Sequence, residues 1–395
     1  LLLPLGLIGV VAALLTFGIL VAAALPAQEV APARPDPEQP LERLEGEHQP
    51  VERPHAAAAK AAVERNGFVA VQVNVAAGGG NLPGDAANEP SIAVDPTAPN
   101  RMAIGWRQFD RISSSFREAG YGYSVDGGRT WTVPGDLTPG VFRSDPVLAA
   151  DREGRFYYYS LISNSTGILC DMFLSDDAGA SWEGPIRAFG GDKAWIAVDA
   201  TGGPGDGVVY AAWSTAGNLY GRRILTRSFD HGRTWTQPIE LEPAPIWGSL
   251  AIGVEGELYV VGHRGNDRSS FVVHRSDDPS RVDAAPTFAA FDLDLGGSQS
   301  LGDGPNPVGL LGQVWIDVDR SDGPLRGRVY VLASVDPPGA DPHFNLYQGS
   351  LAASWQLDLF GRVRRPSEAA QAQVYASEEA QRGVVLTVVS AVAAS

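Results

Sequence analysis

Short apolar runs that end on an acidic residue recur through the middle of the chain: SIAVD to Asp95, VLAAD to Asp151, WIAVD to Asp199, AIGVE to Glu255 and WIDVD to Asp319. Each is followed by a Gly- or Pro-bearing turn and a second run: MAIGW to Trp106, RFYYYS to Ser160, VVYAAWS to Ser214, ELYVVG to Gly262 and RVYVLAS to Ser334. Short, β-branched and aromatic runs bounded by turn residues read as strands, so the pattern predicts five antiparallel hairpins.

A second pattern follows the hairpins. S-x-D-x-G-x-[ST]-W occurs as SVDGGRTW (Ser124 to Trp131), SDDAGASW (Ser175 to Trp182) and SFDHGRTW (Ser228 to Trp235), with a decayed copy at Ser276, Asp277 and Asp278. Its aspartates, Asp126, Asp177, Asp230 and Asp278, are 51, 53 and 48 residues apart, a period that suits one four-stranded propeller blade per repeat. The expected role of Asp126, Asp177 and Asp230 is structural: Asp accepts N–H bonds from its own loop and Gly supplies positive φ, so turn chemistry accounts for every residue type in the pattern.

Composition agrees with many short elements. Among 395 residues there are 46 Gly and 29 Pro, with 44% hydrophobic side chains. The formal net charge of -16, with 30 basic against 46 acidic residues, excludes nucleic acid as an expected partner. The single cysteine, Cys170, lies in an apolar run without metal-ligand spacing and reads as a buried small hydrophobe. No metal or cofactor is expected.

Residues 1–25 carry no charge and read as an apolar helix, hence an exported chain, with a cleaved signal peptide and a membrane anchor both open. The Pro-, Ala- and Glu-rich stretch 26–66 reads as a disordered linker, 67–350 as the propeller, and 351–395 as a tail or an incomplete last blade. Phe68 to Val75, Trp355 to Phe360 and Val384 to Val389 are candidate strands for closing the ring.

Antiparallel strands alternate ends, so the strand 3-4 turns with their aspartates lie at one end, opposite the entry to strand 1 and the loop after strand 2. Six residues before each strand-closing acid stand Glu89, Asp145, Lys193, Ser249 and Gln313, all polar, and these are expected to ring the channel mouth. Loops at that end add Arg107, Asp110, Arg111, Arg117, Arg143, Asp192, His263, Arg264, Asp267 and Arg268. Arginines that grip anions beside carboxylates that move protons suit a carbohydrate ligand on this top face. The expected catalytic groups are Asp145, as proton donor, and Glu89, with Asp192 a comparable candidate. Arg107, Arg143, Asp192, Lys193 and Arg264 are the expected substrate-binding set.

The three S-x-D repeats, the NEPSIAVDP entry (Asn88 to Pro96) and the SDPVLAAD and DKAWIAVD strands resemble bacterial sialidase-like, Asp-box (BNR) repeat proteins, over about Gly67 to Ser350. The resemblance implies an all-β, six-bladed β-propeller of sialidase-like type. It also implies three arginines on a sugar carboxylate, a Tyr nucleophile assisted by a Glu, and an Asp acid/base. The family's early F-R-I-P or Y-R-I-P signature has no counterpart before Asp95, and no tyrosine stands in a transferable motif. An exported glycoside hydrolase acting on sialylated or other anionic glycans, and a non-catalytic propeller binding glycan or protein, are therefore both open.

Overall fold

The computed structural model describes residues 47–51, 61–76, 79–164, 167–215, 217–265, 267–299 and 313–338, with Ser377 and Gln381. These residues form an all-β structure within one compact unit. The 1–25 segment lies outside the described residues, as does the 351–395 tail apart from those two positions. Among the described residues no helix is long and apolar enough to cross a membrane.

β1 (Ala61–Arg65) and β2 (Phe68–Gln72) form a hairpin inside and beyond the stretch assigned to a linker. The sequence carries the signal for it: Asn66-Gly67 turns the chain with φ of 52° and 79°, the paired left-handed conformations of the tightest hairpin turn.

Three four-stranded meanders follow. The first comprises β3 (Ala86–Val94), β4 (Met102–Phe109), β5 (Arg117–Ser124) and β6 (Thr132–Asp136). The second comprises β7 (Ser144–Ala150), β8 (Phe156–Asn164), β9 (Gly167–Ser175) and β10 (Glu183–Ala188). The third comprises β11 (Trp195–Val198), β12 (Val209–Ala212), β13 (Arg223–Ser228) and β14 (Ile239–Glu240). In the fourth sheet the short β15 (Pro245–Ile246) and β16 (Leu250–Ile252) both pair with β17 (Leu258–Arg264), which leads to β18 (Asp267–Ser276) and β19 (Ala289–Leu293). β20 (Trp315–Val318) and β21 (Val329–Leu332) form a two-stranded fifth sheet. All five predicted hairpins are present.

The first strands of successive sheets lie side by side: β3 against β7, β7 against β11, β11 against β16, and β16 against β20. Two serines stitch neighbouring sheets together. The Leu148 amide donates to Ser91 Oγ at 2.9 Å, and the Ile316 amide donates to Ser249 Oγ at 3.0 Å. Apolar side chains fill the space between sheets, including Phe156, Tyr158 and Phe173 between the first two and Tyr157, Tyr159, Met172 and Tyr210 further round. At Gly105 a Cβ would run into the ring of Tyr158 from the next sheet, so this close approach requires glycine.

The S-x-D turns have the expected construction. Asp230 accepts from the Thr234 amide (2.8 Å), the Thr234 hydroxyl (2.6 Å) and Ser228 Oγ (2.8 Å), while the Gly232 amide donates to Ser228 Oγ at 2.8 Å. Asp126 and Asp177 accept the same set of bonds from their own loops. The glycines Gly128, Gly179 and Gly232 have φ of 78°, 83° and 83°. At the decayed copy, Asp278 accepts instead from Thr287, nine residues on, so a longer loop keeps the same device.

The register places these turns beside the 1-2 turns, where Asn100 Nδ2 donates to the Val125 carbonyl at 2.9 Å. The paired residues Asn88 and Arg107 lie at the other end of the first sheet. The strand-closing acids are also turn formers. Asp95 accepts from the Thr97 amide and hydroxyl, both at 2.8 Å, and Asp199 accepts the equivalent bonds from Thr201.

Candidate functional site

A bulge opens the first strand of each of the first two sheets. Pairing skips from Asn88 to Ser91 and from Ser144 to Val147, and the residue within the gap takes a left-handed backbone: Glu89 at φ 49° and Asp145 at φ 43°. Lys193 (54°) and Trp247 (50°) adopt the same conformation ahead of the third and fourth first strands. Bulges re-aim side chains. Here Pro90 and Pro146 follow the turned residue, where the lack of a backbone N–H costs no ladder bond.

The re-aimed Glu89, Asp145 and Lys193, with Gln313 from the start of the fifth sheet, line a cavity of about 300 Å³. Pro90, Ser91, Pro146, Val147, Ala194 and Trp195 complete its wall.

Arg107, buried and projecting from β4, holds the acid side of this cavity together. Its Nη2 lies 2.9 Å from Glu89 Oε1, Nη1 lies 3.7 Å from Asp145 Oδ1, and Nε donates to Asn88 Oδ1 at 2.8 Å. Arg107 Nη1 and Arg117 Nε both donate to Ser144 Oγ at 3.3 Å, and that hydroxyl donates to Asp145 Oδ1 at 2.8 Å. From the third sheet Lys193 Nζ lies 3.4 Å from Asp145 Oδ2 and 3.7 Å from the buried Asp192 Oδ1. Trp195 lines the same cavity. Its Nε1 donates to Gln313 Oε1 at 2.5 Å, and its ring meets Trp315 edge to face at 4.8 Å.

These surroundings drive the carboxyls apart in acidity. Burial pushes Glu89 up to about 7, reinforced by the charge of Asp145, to which it is hydrogen-bonded, and opposed by Arg107 and Lys193. Burial acts against ionisation of Asp145 as well, but Lys193 and Arg107, with the hydrogen bonds from Ser144 and Glu89, outweigh it and hold that carboxyl well below the usual range. Asp192 is raised to about 7, chiefly by burial, with Lys193 opposing and Asp145 adding to the shift. Burial works against the charge on Lys193, yet Asp145, Asp192 and Glu89 more than restore it and raise its affinity for the proton. Near neutral pH Glu89 is therefore close to its midpoint, beside an ionised Asp145.

This bears on the expectation that Asp145 donates a proton: Lys193 and Arg107 favour its ionised form, while burial favours the protonated form of Glu89.

The fourth sheet corrects a register. Its first strand closes at Gly253, whose amide donates to the Glu257 carbonyl at 2.7 Å, as the amides of Asp95, Asp151, Asp199 and Asp319 donate across their own turns. Six residues earlier stands Trp247, not Ser249. Ser249 is the buried counterpart of Ser91 and stitches sheets rather than lining the mouth.

Two expected ligand-binding arginines are placed elsewhere. Arg143 is 1% exposed; its Nε donates to Thr138 Oγ1 at 2.7 Å, its Nη2 to Asp171 Oδ2 at 3.0 Å, and its guanidinium lies over the Phe173 ring. Arg264 is half exposed and pairs with Asp292 at 3.2 Å. Strand alternation explains the second case. His263, opposite Ile246, holds the place that Arg107 holds opposite Asn88, which turns Arg264 to the other face. His263 is buried against Gln299 and the Trp247 ring. Asp192 stands behind Lys193 rather than on the cavity wall. The tyrosine hydroxyls of the second sheet bond elsewhere: Tyr157 to Asp151, Tyr158 to the Gly120 carbonyl and Tyr159 to the Phe189 carbonyl.

Sequence reasoning missed Trp195, Asn88 and Ser144. The first was available, since Trp195 stands two residues after Lys193, as Ser91 does after Glu89 and Val147 after Asp145.

Among the described residues, two groups elsewhere could offer a metal three ligand atoms within 4.8 Å of one another: His48, Asp110 and Glu118, and Asp151, Glu153 and His231. Both contain carboxylates engaged by the fold. Asp110 accepts from the Gln49 amide at 2.6 Å, Glu118 from the Gly140 amide, and Asp151 from the amides of Glu153 and Arg155.

No family model and no curated protein matches the chain. Solved structures similar to it at low identity include glycoside hydrolases. A Hadza microbial sialidase, Hz136, is 14% identical with a TM-score of 0.44, over 68% of this chain and 54% of its own. The chain thus spans about half the length of that sialidase. RS223-β-xylosidase is 13% identical (TM-score 0.34; 65% of this chain, 96% of its own). A structure from the GH130 family of mannoside phosphorylases, described as containing hydrolases that target β-1,2 mannosidic linkages in Candida mannan, is 15% identical (TM-score 0.36; 79% and 99%). Likeness this remote carries no argument about activity, which rests on the site itself.

Proposed function

We propose that this protein is an exported glycoside hydrolase built on a six-bladed, sialidase-like propeller and acting on glycans that carry an anionic group. The observation that supports it is the pairing, on one cavity wall, of a carboxyl protonated near neutral pH with one that stays ionised. Glycosidic cleavage needs a proton delivered to the leaving oxygen and a negative charge near the developing oxocarbenium ion. Glu89 delivers the proton to the leaving oxygen as the glycosidic C–O bond breaks, Asp145 supplies the charge, and water then adds to the anomeric carbon, its released proton restoring the acid form of Glu89. The two carboxyls are hydrogen-bonded, closer than the roughly 5 to 9.5 Å that separates acid from nucleophile or base in retaining and inverting enzymes, so Asp145 acts on the same side as the acid. Lys193, on the cavity wall, receives the anionic group of the sugar, with the charge of Arg107 behind the two carboxyls adding to the attraction.

A second reading, a propeller that binds glycan or protein without cleaving it, is favoured by one observation: Arg143 and Arg264 are committed to Asp171 and Asp292, so a three-arginine clamp does not form on this cavity. A panel of fluorogenic sialosides and neutral glycosides separates the two. Hydrolysis that Glu89→Gln lowers about a hundredfold or more supports the enzyme. Saturable binding with no turnover on any member of the panel supports the binder.

A further inference from the structure

The cavity is lined by ionisable side chains and by the indole of Trp195, which is held in place before any ligand arrives. Among the described residues that line the cavity, Trp195 is the one aromatic. Its N–H is tied to Gln313 and its ring is braced by Trp315, at 86° between planes. Trp195 belongs to the third sheet and Gln313 and Trp315 to the fifth, so the brace spans sheets that are not consecutive. Glu89 and Asp145 line the same cavity from the first and second.

We propose that Trp195 is the specificity-determining surface of this site, stacking on the C–H face of a pyranose ring while the hydroxyls or anionic group of that sugar turn to Lys193 and the two carboxyls. The inference rests on the reading that the ligand is a carbohydrate and adds which sugars it takes. The face of an indole is electronegative and attracts the polarised C–H groups that a pyranose presents where no axial hydroxyl intervenes. An acyclic polyol with the same hydroxyl chemistry has no such face. An indole tied to Gln313 and braced by Trp315 loses little freedom when a ring settles on it, so selectivity costs little entropy.

The test is calorimetric titration of the full chain and its variants with methyl β-glucopyranoside, whose ring hydrogens are axial, and with sorbitol. Trp195→Leu keeps an apolar side chain against Trp315 but removes the aromatic face; Trp195→Phe keeps a smaller face. Stacking of this kind accounts for a roughly three- to tenfold change in affinity. The expected result is that the Leu variant binds the glucoside that much more weakly, the Phe variant lies between, and sorbitol binds wild type and the Leu variant alike. Equal affinity of wild type and the Leu variant for the glucoside overturns the stacking role and leaves the carbohydrate reading standing. Wild type that binds no pyranoside of the panel overturns the carbohydrate reading, and this inference with it. Asp230→Ala, in a turn away from the cavity, serves as the control: on the stacking account it keeps glucoside binding.

Discussion

Replacing Glu89 by Gln removes a proton-binding group while keeping a side chain of nearly the same shape. In the folded chain this carboxyl loses its proton near 7, against an ordinary value of 4.5. Between those values the folded state binds more protons than the unfolded state, so the contribution to stability is present at pH 4 and is lost as pH rises through 7. The gap, at 1.36 kcal/mol for each pH unit, amounts to about 3 kcal/mol. That figure is a ceiling, because the Glu89 side chain is 26% exposed and shares its proton with Asp145. Urea unfolding of wild type and Glu89→Gln at pH 5 and pH 8 isolates the effect, since the repulsion from a net charge of -16 is nearly common to both. Wild type should lose roughly 1 to 3 kcal/mol more than the variant on going from pH 5 to pH 8. Parallel pH dependence in the two proteins would refute the account of Glu89.

Asp230→Ala should destabilise the domain by about 1 to 3 kcal/mol, since it removes the acceptor of three turn hydrogen bonds, and should leave sugar affinity unchanged; denaturation and titration side by side check both parts. Ser249→Ala should cost a similar amount, about 1 to 3 kcal/mol, by stranding the buried Ile316 amide, again without effect on binding; lost binding with intact stability would return Ser249 to the channel mouth. Cys170 is fully buried, and burial pushes its thiol up, so it should resist a thiol reagent in the native state and the melting temperature should ignore reductant.

The repeats were legible because their chemistry is local: an S-x-D turn closes within eight residues, and its hydrogen bonds need nothing from elsewhere in the fold. The six-residue interval that places Glu89, Asp145 and Lys193 on the cavity was legible for the same reason. It failed in the fourth sheet because an acid was taken as the marker of the strand end, whereas the conserved geometry is the turn hydrogen bond, which Gly253 makes without a carboxylate and Glu255 does not. Arg264 was misplaced by one step of strand alternation, a difference that only the pairing of His263 with Ile246 settles. The division of labour between Glu89 and Asp145 could not be read from the chain. Both are acids in the same repeat position, and what separates them is Lys193, which approaches Asp145 from another sheet.

The central claim is that Glu89 holds a proton near neutral pH while its hydrogen-bonded neighbour Asp145 does not. Side-chain carboxyl ¹³C resonances, assigned with Glu89→Gln and Asp145→Asn and followed from pH 3 to pH 9, measure this directly. The structure predicts a Glu89 midpoint near 7 and an Asp145 resonance that remains that of the ionised form down to the acid end of the titration. Ordinary midpoints for both groups, close to 4.5 for Glu89 and 3.8 for Asp145, would contradict the account and remove the basis for the proposed acid chemistry.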